Sequence, residues 1–298
     1  MANEGEKEAA GRAAAKLVCD GDIVGLGSGS TAYFAVIALG ERVKAGLKIT
    51  GIPTSVQTGE LARAVGIPLT TLDEHPEIDI TIDGADEVDP RLNLIKGGGG
   101  ALLREKVVAS VTKKMVVVVD SGKIVSVLGK FPLPIEVISF ARTVVEKKIV
   151  ALGGSPKLRT KSDGSPFVTD NGNQILDCSF GKIADPAALA LELNGMPGVV
   201  EHGLFIGLAK LAIVGRGNST QEIPSPTRRK ASTNKKDERS VIIARRSAAG
   251  PDFYLSCCRS IVEYVKATSF LGLAALSMTS RETLRAFSTA TGESKRRV

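Results

Sequence analysis

Tryptophan is absent from this 298-residue chain, and Phe, Tyr and Trp together make up 4% of it. Stacking platforms for single-stranded nucleic acid need more aromatic rings than that. There are two histidines, His75 and His202, and four cysteines: Cys19, Cys178, Cys257 and Cys258. No two of the cysteines form a CxxC pair, so a zinc site is not expected. Such sparse cysteine usage fits a reducing compartment. No apolar run reaches the ~18–20 residues of a membrane helix. The opening residues, MANEGEKEAAGR, are polar and mixed in charge. They have neither an apolar signal-peptide stretch nor Arg/Ser-rich transit character. The expectation is a cytoplasmic protein with no membrane contact and no metal.

Acidic excess is also missing, but the net charge of +7 is unevenly placed. Residues 1–218 hold 24 Lys+Arg against 25 Asp+Glu, a net −1, and residues 219–298 hold 15 against 7, a net +8. The body therefore lacks the basic footprint of a nucleic-acid binder. Only the tail has charge suited to nucleic acid or an anionic surface.

What is there is an alternation of short apolar strands and helical stretches. Residues 6–18 are Ala-rich and helix-prone. Ile23-Val24 starts a strand that runs into Gly25-Leu26-Gly27-Ser28-Gly29-Ser30-Thr31, and a helix resumes over 33–44. Strands are predicted at 47–51, 78–82 and 115–119, and helices at 56–65 and 102–110. Continuous apolar strands between helices predict an α/β fold: a Rossmann-like parallel sheet covered on both faces. After Pro132-Leu133-Pro134 the texture becomes α+β. Strands are expected at 135–140, 167–170, 174–179 and 199–203, with helices at 142–152 and 186–193. Residues 204–214 are apolar again and are expected to return to the first sheet. The division that follows is a Rossmann-like domain over 1–131 with a return segment at 204–217, a smaller α+β subdomain over 132–203, and a basic extension over 218–298. The polar, Pro/Ser-bearing stretch after Gly217 reads as disordered, with a helix or two allowed within 253–278.

Four polar clusters sit where predicted strands end, the edge at which open α/β sheets bind ligands. Gly25 to Thr31 combines close-approaching backbone amides, hydroxyls and a helix start, which together suit a phosphate. A plain tight turn is the simpler alternative. The third glycine is misplaced for a dinucleotide fingerprint, and the next strand ends in Gly51-Ile52-Pro53-Thr54 with no carboxylate for a ribose. No Gly-Lys-Ser/Thr follows either, so a single small phosphate fits best. The second cluster, Asp83-Gly84-Ala85-Asp86-Glu87, places two carboxylates around a small pair. The third is Lys96-Gly97-Gly98-Gly99-Gly100-Ala101 followed by a helix carrying Glu105. Four successive glycines are costly to order, so the backbone there is expected to have a task. Arg104 and Lys106 should point away. The fourth is Asp120-Ser121-Gly122-Lys123. The combined inventory suits proton transfer beside the carbonyl of a phosphorylated sugar, with a carboxylate taking the proton and a cation and amides holding the oxygen.

The segments GLGSGSTA, DGADEVD, KGGGGALLREK, VDSGK, LGKFPLPIEV, VTDNGNQILD and PGVVEHGLF occur in this order. In order and spacing they closely resemble ribose-5-phosphate isomerase, type A, over roughly residues 6–217. The resemblance implies interconversion of ribose 5-phosphate and ribulose 5-phosphate without metal or cofactor, in a homodimer or homotetramer. It implies that Glu105 is the base moving a proton between C1 and C2. Asp83 would be the acid of ring opening and of O1/O2 proton transfer, and Lys96 the cation beside the enediolate oxygen. It further implies substrate contacts from Ser28, Gly29, Ser30 and Thr31, from Gly84, Ala85 and Asp86, from Gly97, Gly98 and Gly99, and from Lys123. Ser30 and Thr31 would hold the phosphate, helped by Lys7 on the first helix. Ser28 stands where the family more usually has Thr. His75 reads as solvated and His202 as structural. Residues 219–298 have no counterpart, so a chain ending near Ser219 is expected to keep activity. The rival reading is a phosphosugar-sensing module that binds without turnover; such a module has no need of Glu105, Asp83 and Lys96 together.

Overall fold

The computed structural model describes residues 4–217 and 219–226. The proposed helices within 253–278, the basic run 228–239 and Cys257-Cys258 lie outside the described residues.

The first helix, α1 (Glu4–Ala15), leads to β1 (Ile23–Leu26), α2 (Ser30–Lys44), β2 (Thr50–Pro53), α3 (Val56–Val65) and β3 (Ile78–Asp83). Short strands β4 (Glu87–Val88) and β5 (Leu94–Ile95) precede α4 (Leu102–Ser110) and the long β6 (Thr112–Asp120). The chain continues through β7 (Leu133–Val137), α5 (Arg142–Ala151), β8 (Ser155–Leu158), β9 (Gln174–Ser179) and α6 (Pro186–Asn194). It closes with β10 (Val199–His202), β11 (Leu204–Phe205), β12 (Ala209–Arg216) and β13 (Ser219–Pro224).

Six strands form the main sheet in the order β13-β12-β6-β3-β1-β2, parallel except for the β12–β13 pair. Met115 to Val119 on β6 are essentially unexposed because both faces are covered. Val116 and Val118 join one apolar layer with α1 and α2, and Met115, Val117 and Val119 join the other. That is the period-2 alternation of a strand buried on both sides. Close helix packing depends on small residues. A Cβ on Gly11 of α1 would lie 2.7 Å from the Ala35 amide of α2, and one on Gly215 of β12 would lie 2.0 Å from the Glu6 carbonyl oxygen.

The second sheet, β10-β7-β9-β8, is antiparallel and has its own core, including Leu133, Ile135, Val137, Leu176 and Leu193. A third, three-stranded sheet, β11-β5-β4, is also antiparallel.

Several local expectations need correction. The second strand is Thr50–Pro53 rather than 47–51, because residues 45–48 close the turn after α2. Strand β7 stops at Val137, and Ser139–Ala141 coils into a 3-10 turn that starts α5. Residues 167–170 form no strand; Val168 makes one bridge, to Gln174, in a turn built on Thr169. Residues 204–214 are two strands in two sheets, since Leu204–Phe205 pairs with β5 and only β12 joins β6. Order does not end at Gly217. Ser219–Pro224 pairs along β12 from Arg216 to Leu211 as an edge strand. Its STQEIP sequence is polar because an edge strand needs little apolar surface, and composition cannot tell that from disorder.

Candidate active site

Strands β1 and β3 end side by side, and their proximity requires Gly27: a Cβ there would lie 2.3 Å from Asp83 Oδ1. Asp83 Oδ1 accepts hydrogen bonds from the amides of Ser28 (3.0 Å) and Gly84 (2.7 Å). Its other oxygen, Oδ2, lies 3.0 Å from Lys96 Nζ. Lys96 also reaches Glu105 Oε1 at 3.3 Å and donates to the Gly84 carbonyl at 2.6 Å. Lys96 is held from below: its amide donates to the Gly203 carbonyl through the β5–β11 pairing, and its ammonium lies 5.5 Å from the centroid of the buried Phe205 ring. Asp83, Lys96 and Glu105 are 0%, 2% and 5% exposed.

One cation thus faces two carboxylates away from water. Burial raises the Asp83 pKa against the opposing pull of Lys96. Burial pushes Glu105 up to about 8; Lys96 opposes the shift and Asp83 adds to it. For Lys96 burial disfavours the charge, but Asp83 and Glu105 outweigh it and keep the group protonated. Among the described residues Glu105 Oε2 has no hydrogen-bond partner although it is buried. A basic carboxylate oxygen with no donor, in a cleft, is equipped to take a proton.

A cleft of about 100 Å³ lies above this cluster. Residues 28–31, 84–86 and 96–99 line it together with Glu105 and Lys123. Asp83 stands behind the lining, joined to it through Lys96. Lys7 is the exception. It lines a neighbouring cavity of about 670 Å³, which shares Gly29 and Ser30 with the cleft and also has Tyr33, Phe34, Gln57 and Leu61 in its wall. The phosphate cradle is the start of α2. Its N-cap, Gly29, has φ +96° and offers no side-chain cap, so the first amides of the helix are left for an anion. Lys123 rides on a 3-10 turn capped by Asp120, whose Oδ1 accepts from the Gly122 amide.

Two expectations about placement change. The Lys96 loop leaves the small sheet through β5 rather than an edge of the main one. The Ser28 hydroxyl does not stand free: it lies 2.8 Å from the Thr54 hydroxyl, 2.8 Å from that of Ser55 and 3.1 Å from that of Thr58. Thr58 in turn donates to the Gly27 carbonyl. This hydroxyl knot ties the cradle to the N-terminus of α3.

Sequence reasoning passed over other supporting residues. Buried Glu87 accepts from the amides of Gly129 and Phe131. Buried Glu136 accepts from Thr169 and Asn173 and fixes the turn at 169–173. Asp170 in that turn accepts from the Val56 amide at the start of α3. Arg159 donates to the carbonyls of Gly97 and Gly98. All four act across long sequence separations; Glu87, Glu136 and Asp170 fall inside recognisable segments, but nothing local marks the partners they hold.

The remaining candidates behave as expected. Lys106 points away from the cleft, onto Glu201 and the carbonyl of His202, and Arg104 lies exposed against Asn171. His202 is buried, and its pKa is pushed down to about 4, first by burial and then by Lys106. It accepts from the Leu204 amide and therefore holds the chain before β11. His75 is exposed.

The family model of ribose 5-phosphate isomerase A (phosphoriboisomerase A) matches residues 50–219. The ribose-5-phosphate isomerase A of Parvibaculum lavamentivorans is 52% identical over 229 residues, covering 75% of this chain and 99% of the relative. The solved ribose 5-phosphate isomerase A of Methanocaldococcus jannaschii superposes with a TM-score of 0.71 at 43% identity, covering 73% of this chain and 97% of that one. A D-ribose-5-phosphate isomerase solved with phospho-erythronic acid gives a TM-score of 0.73 at 40% identity, covering 75% and 100%.

Proposed function

We infer, from the premise that this chain belongs to the ribose 5-phosphate isomerase A family, how its own residues divide the work of the reaction. The protein is an aldose–ketose isomerase that interconverts ribose 5-phosphate and ribulose 5-phosphate. Glu105 Oε2 removes the C2 proton of the open-chain aldose and returns it to C1. The electron pair released at C2 forms the enediolate, whose oxygen lies beside Lys96 and the loop amides. Asp83, its pKa raised by burial, exchanges the proton between O1 and O2 and assists ring opening. Ser30 and Thr31 at the start of α2 take the phosphate, with Lys7 approaching from the neighbouring cavity. Ser28 offers substrate its backbone carbonyl, since its hydroxyl is engaged in the knot and its amide donates to Asp83. The residues need no cofactor for this sequence of proton transfers.

One observation carries the reading: a single buried lysine ion-pairs two buried carboxylates, and one oxygen of Glu105 is left without a donor. A sensor of phosphosugars gains nothing from that costly arrangement. The deciding experiment is a coupled assay for ribulose 5-phosphate in EDTA, run on the wild type and Glu105→Gln. Metal-independent turnover that collapses in the variant supports the assignment; binding of ribose 5-phosphate with no turnover in the wild type would favour the sensor.

The same reading divides the labour between a Rossmann-like part, residues 1–131 with the return segment, and a subdomain over 132–203. It also extends to a cytoplasmic homodimer or homotetramer. Phe140 and Leu191 support the oligomer, being 96% and 73% exposed in the single chain. Light scattering on the purified protein measures the state. Among the described residues no helix is long and apolar enough to cross a membrane.

A further inference from the structure

Two peptide groups in the glycine loop have their carbonyls turned toward one side chain. Arg159 Nη1 donates to the Gly97 carbonyl at 2.9 Å and to the Gly98 carbonyl at 3.1 Å. The rest of the guanidinium is pinned. Nε and Nη2 form a forked pair with Asp177 on β9, at 2.9 and 2.5 Å. The Arg159 backbone is fastened to the second sheet, its amide donating to Ile175 and its carbonyl accepting from Phe167. Phe167 lies against the guanidinium, 5.8 Å from ring centroid to Cζ, and against Gly100, where a Cβ would fall 2.6 Å from the ring. The donor is therefore fixed on a rigid sheet, and the loop it grips has φ +104° at Gly97 and +84° at Gly100.

A trans peptide points its N–H opposite to its C=O. With the carbonyls of Gly97 and Gly98 drawn to Arg159, the amides of Gly98 and Gly99 face the other way. The Gly98 amide does so visibly, donating to Asp86 Oδ2 at 2.8 Å on the cleft side. Gly99 also lines the cleft and is exposed to it. A cation on the carbonyl side also polarises both peptides and strengthens their N–H donors.

We propose that Arg159, held by Asp177, is a positioning residue for the isomerisation: it fixes the glycine loop so that the Gly99 amide, oriented and polarised from the carbonyl side, stabilises the enediolate oxygen while the Gly98 amide holds Asp86. The inference rests on the isomerase reading above. Neither Arg159 nor Asp177 lines the cleft, so both act through the loop and not on the substrate.

The test compares Arg159→Met, Arg159→Lys and Asp177→Asn with wild type in the full chain. Three quantities are measured: kcat and KM for ribose 5-phosphate, the inhibition constant of phospho-erythronic acid, and that of inorganic phosphate. Phospho-erythronic acid presents a carboxylate where enediolate oxygens would form, whereas phosphate reads the cradle at Ser30 and Thr31 alone. Removing donors to a developing oxyanion costs ~10²–10³-fold in kcat. Losing their orientation should cost at least roughly tenfold in Arg159→Met, with KM within a few-fold. Phospho-erythronic acid should weaken in parallel with kcat while phosphate inhibition is unchanged. Arg159→Lys keeps the charge but cannot grip both Asp177 and two carbonyls, so it should fall between. Asp177→Asn should shift the same quantities in the same direction. If Arg159→Met fails to fold, the Lys variant carries the test. A folded variant with kcat within twofold of wild type overturns the proposal, as does equal weakening of both inhibitors. A wild type that makes no ribulose 5-phosphate overturns the isomerase reading instead, so the two failures are distinct.

Discussion

Lys96 reaches Glu105 through Oε1 alone, at 3.3 Å, and leaves Oε2 buried with no hydrogen-bond donor among the described residues. The ammonium is shared with Asp83 at 3.0 Å and with the Gly84 carbonyl at 2.6 Å. Glu105 is therefore the less satisfied carboxylate, and burial raises its basicity, as it does that of Asp83, with Glu105 pushed up to about 8.

Replacing that oxygen should separate chemistry from binding. Glu105→Gln keeps the shape and removes the base. A positioned base contributes ~10²–10⁴-fold, so kcat should fall by about that factor with KM within a few-fold. Steady-state kinetics decide the matter, and a near-normal kcat would move the base to Asp83.

The raised pKa of Glu105 also predicts a pH profile. The base form is needed, so kcat/KM should fall as pH drops through about 8. An ordinary Glu would place that limb near its reference value of 4.5. Stability should run the other way. A carboxylate whose folded pKa is raised binds more protons in the folded state, so its penalty grows as pH rises from about 4.5 to about 8. Glu105→Gln should therefore gain Tm over wild type at pH 8.5 and lose most of that advantage at pH 5. Thermal melts at the two pH values check the sign.

The phosphate cradle can be probed at one hydroxyl. Thr31 lies in the first turn of α2, 8% exposed and lining the cleft. A hydrogen bond to a charged group is worth ~1.5–3 kcal/mol, so Thr31→Val should raise KM for ribose 5-phosphate about tenfold or more. Activity on unphosphorylated ribose should barely change. Equal losses on both sugars would put the phosphate elsewhere.

Gly27 tests the contact between β1 and β3. A Cβ would meet the Asp83 Cα at 2.5 Å, and backbone cannot swing away as a flexible side chain can. Gly27→Ala should cost ~1–3 kcal/mol of stability by overpacking and disturb Asp83 with it. Urea unfolding gives the first quantity and kcat the second.

The edge strand fixes where the chain can be shortened. Ending at Ser219 would remove β13, which pairs with β12 over six residues. A chain ending after Pro226 should melt at a higher temperature than one ending after Gly217, and should be more soluble, since the second exposes the edge of β12. Calorimetry and sedimentation on the two chains measure the difference.

Local rules were enough to place the helices at 56–65 and 102–110 and the apolar core of β6, because capping, periodicity and β-branched runs act over a few residues. Ser55 caps α3 by accepting from the Thr58 amide, and Gly66 ends the helix with φ +88°. The motifs around Ser30, Asp83, Lys96 and Glu105 could be read as chemistry because glycines and charges crowded at strand ends are costly unless used. Tertiary structure decided what depends on distant partners. It alone pairs Ser219–Pro224 with β12, splits 204–214 between two sheets, turns the Ser28 hydroxyl into the knot with Thr54, Ser55 and Thr58, and moves Lys7 to the neighbouring cavity. It alone sets Arg159, some 60 residues along the chain, behind the glycine loop. The physical reason is the same in each case. A side chain's hydrogen-bonding capacity is written in its residue type, but its partner is chosen by packing, which brings together residues that no local pattern connects.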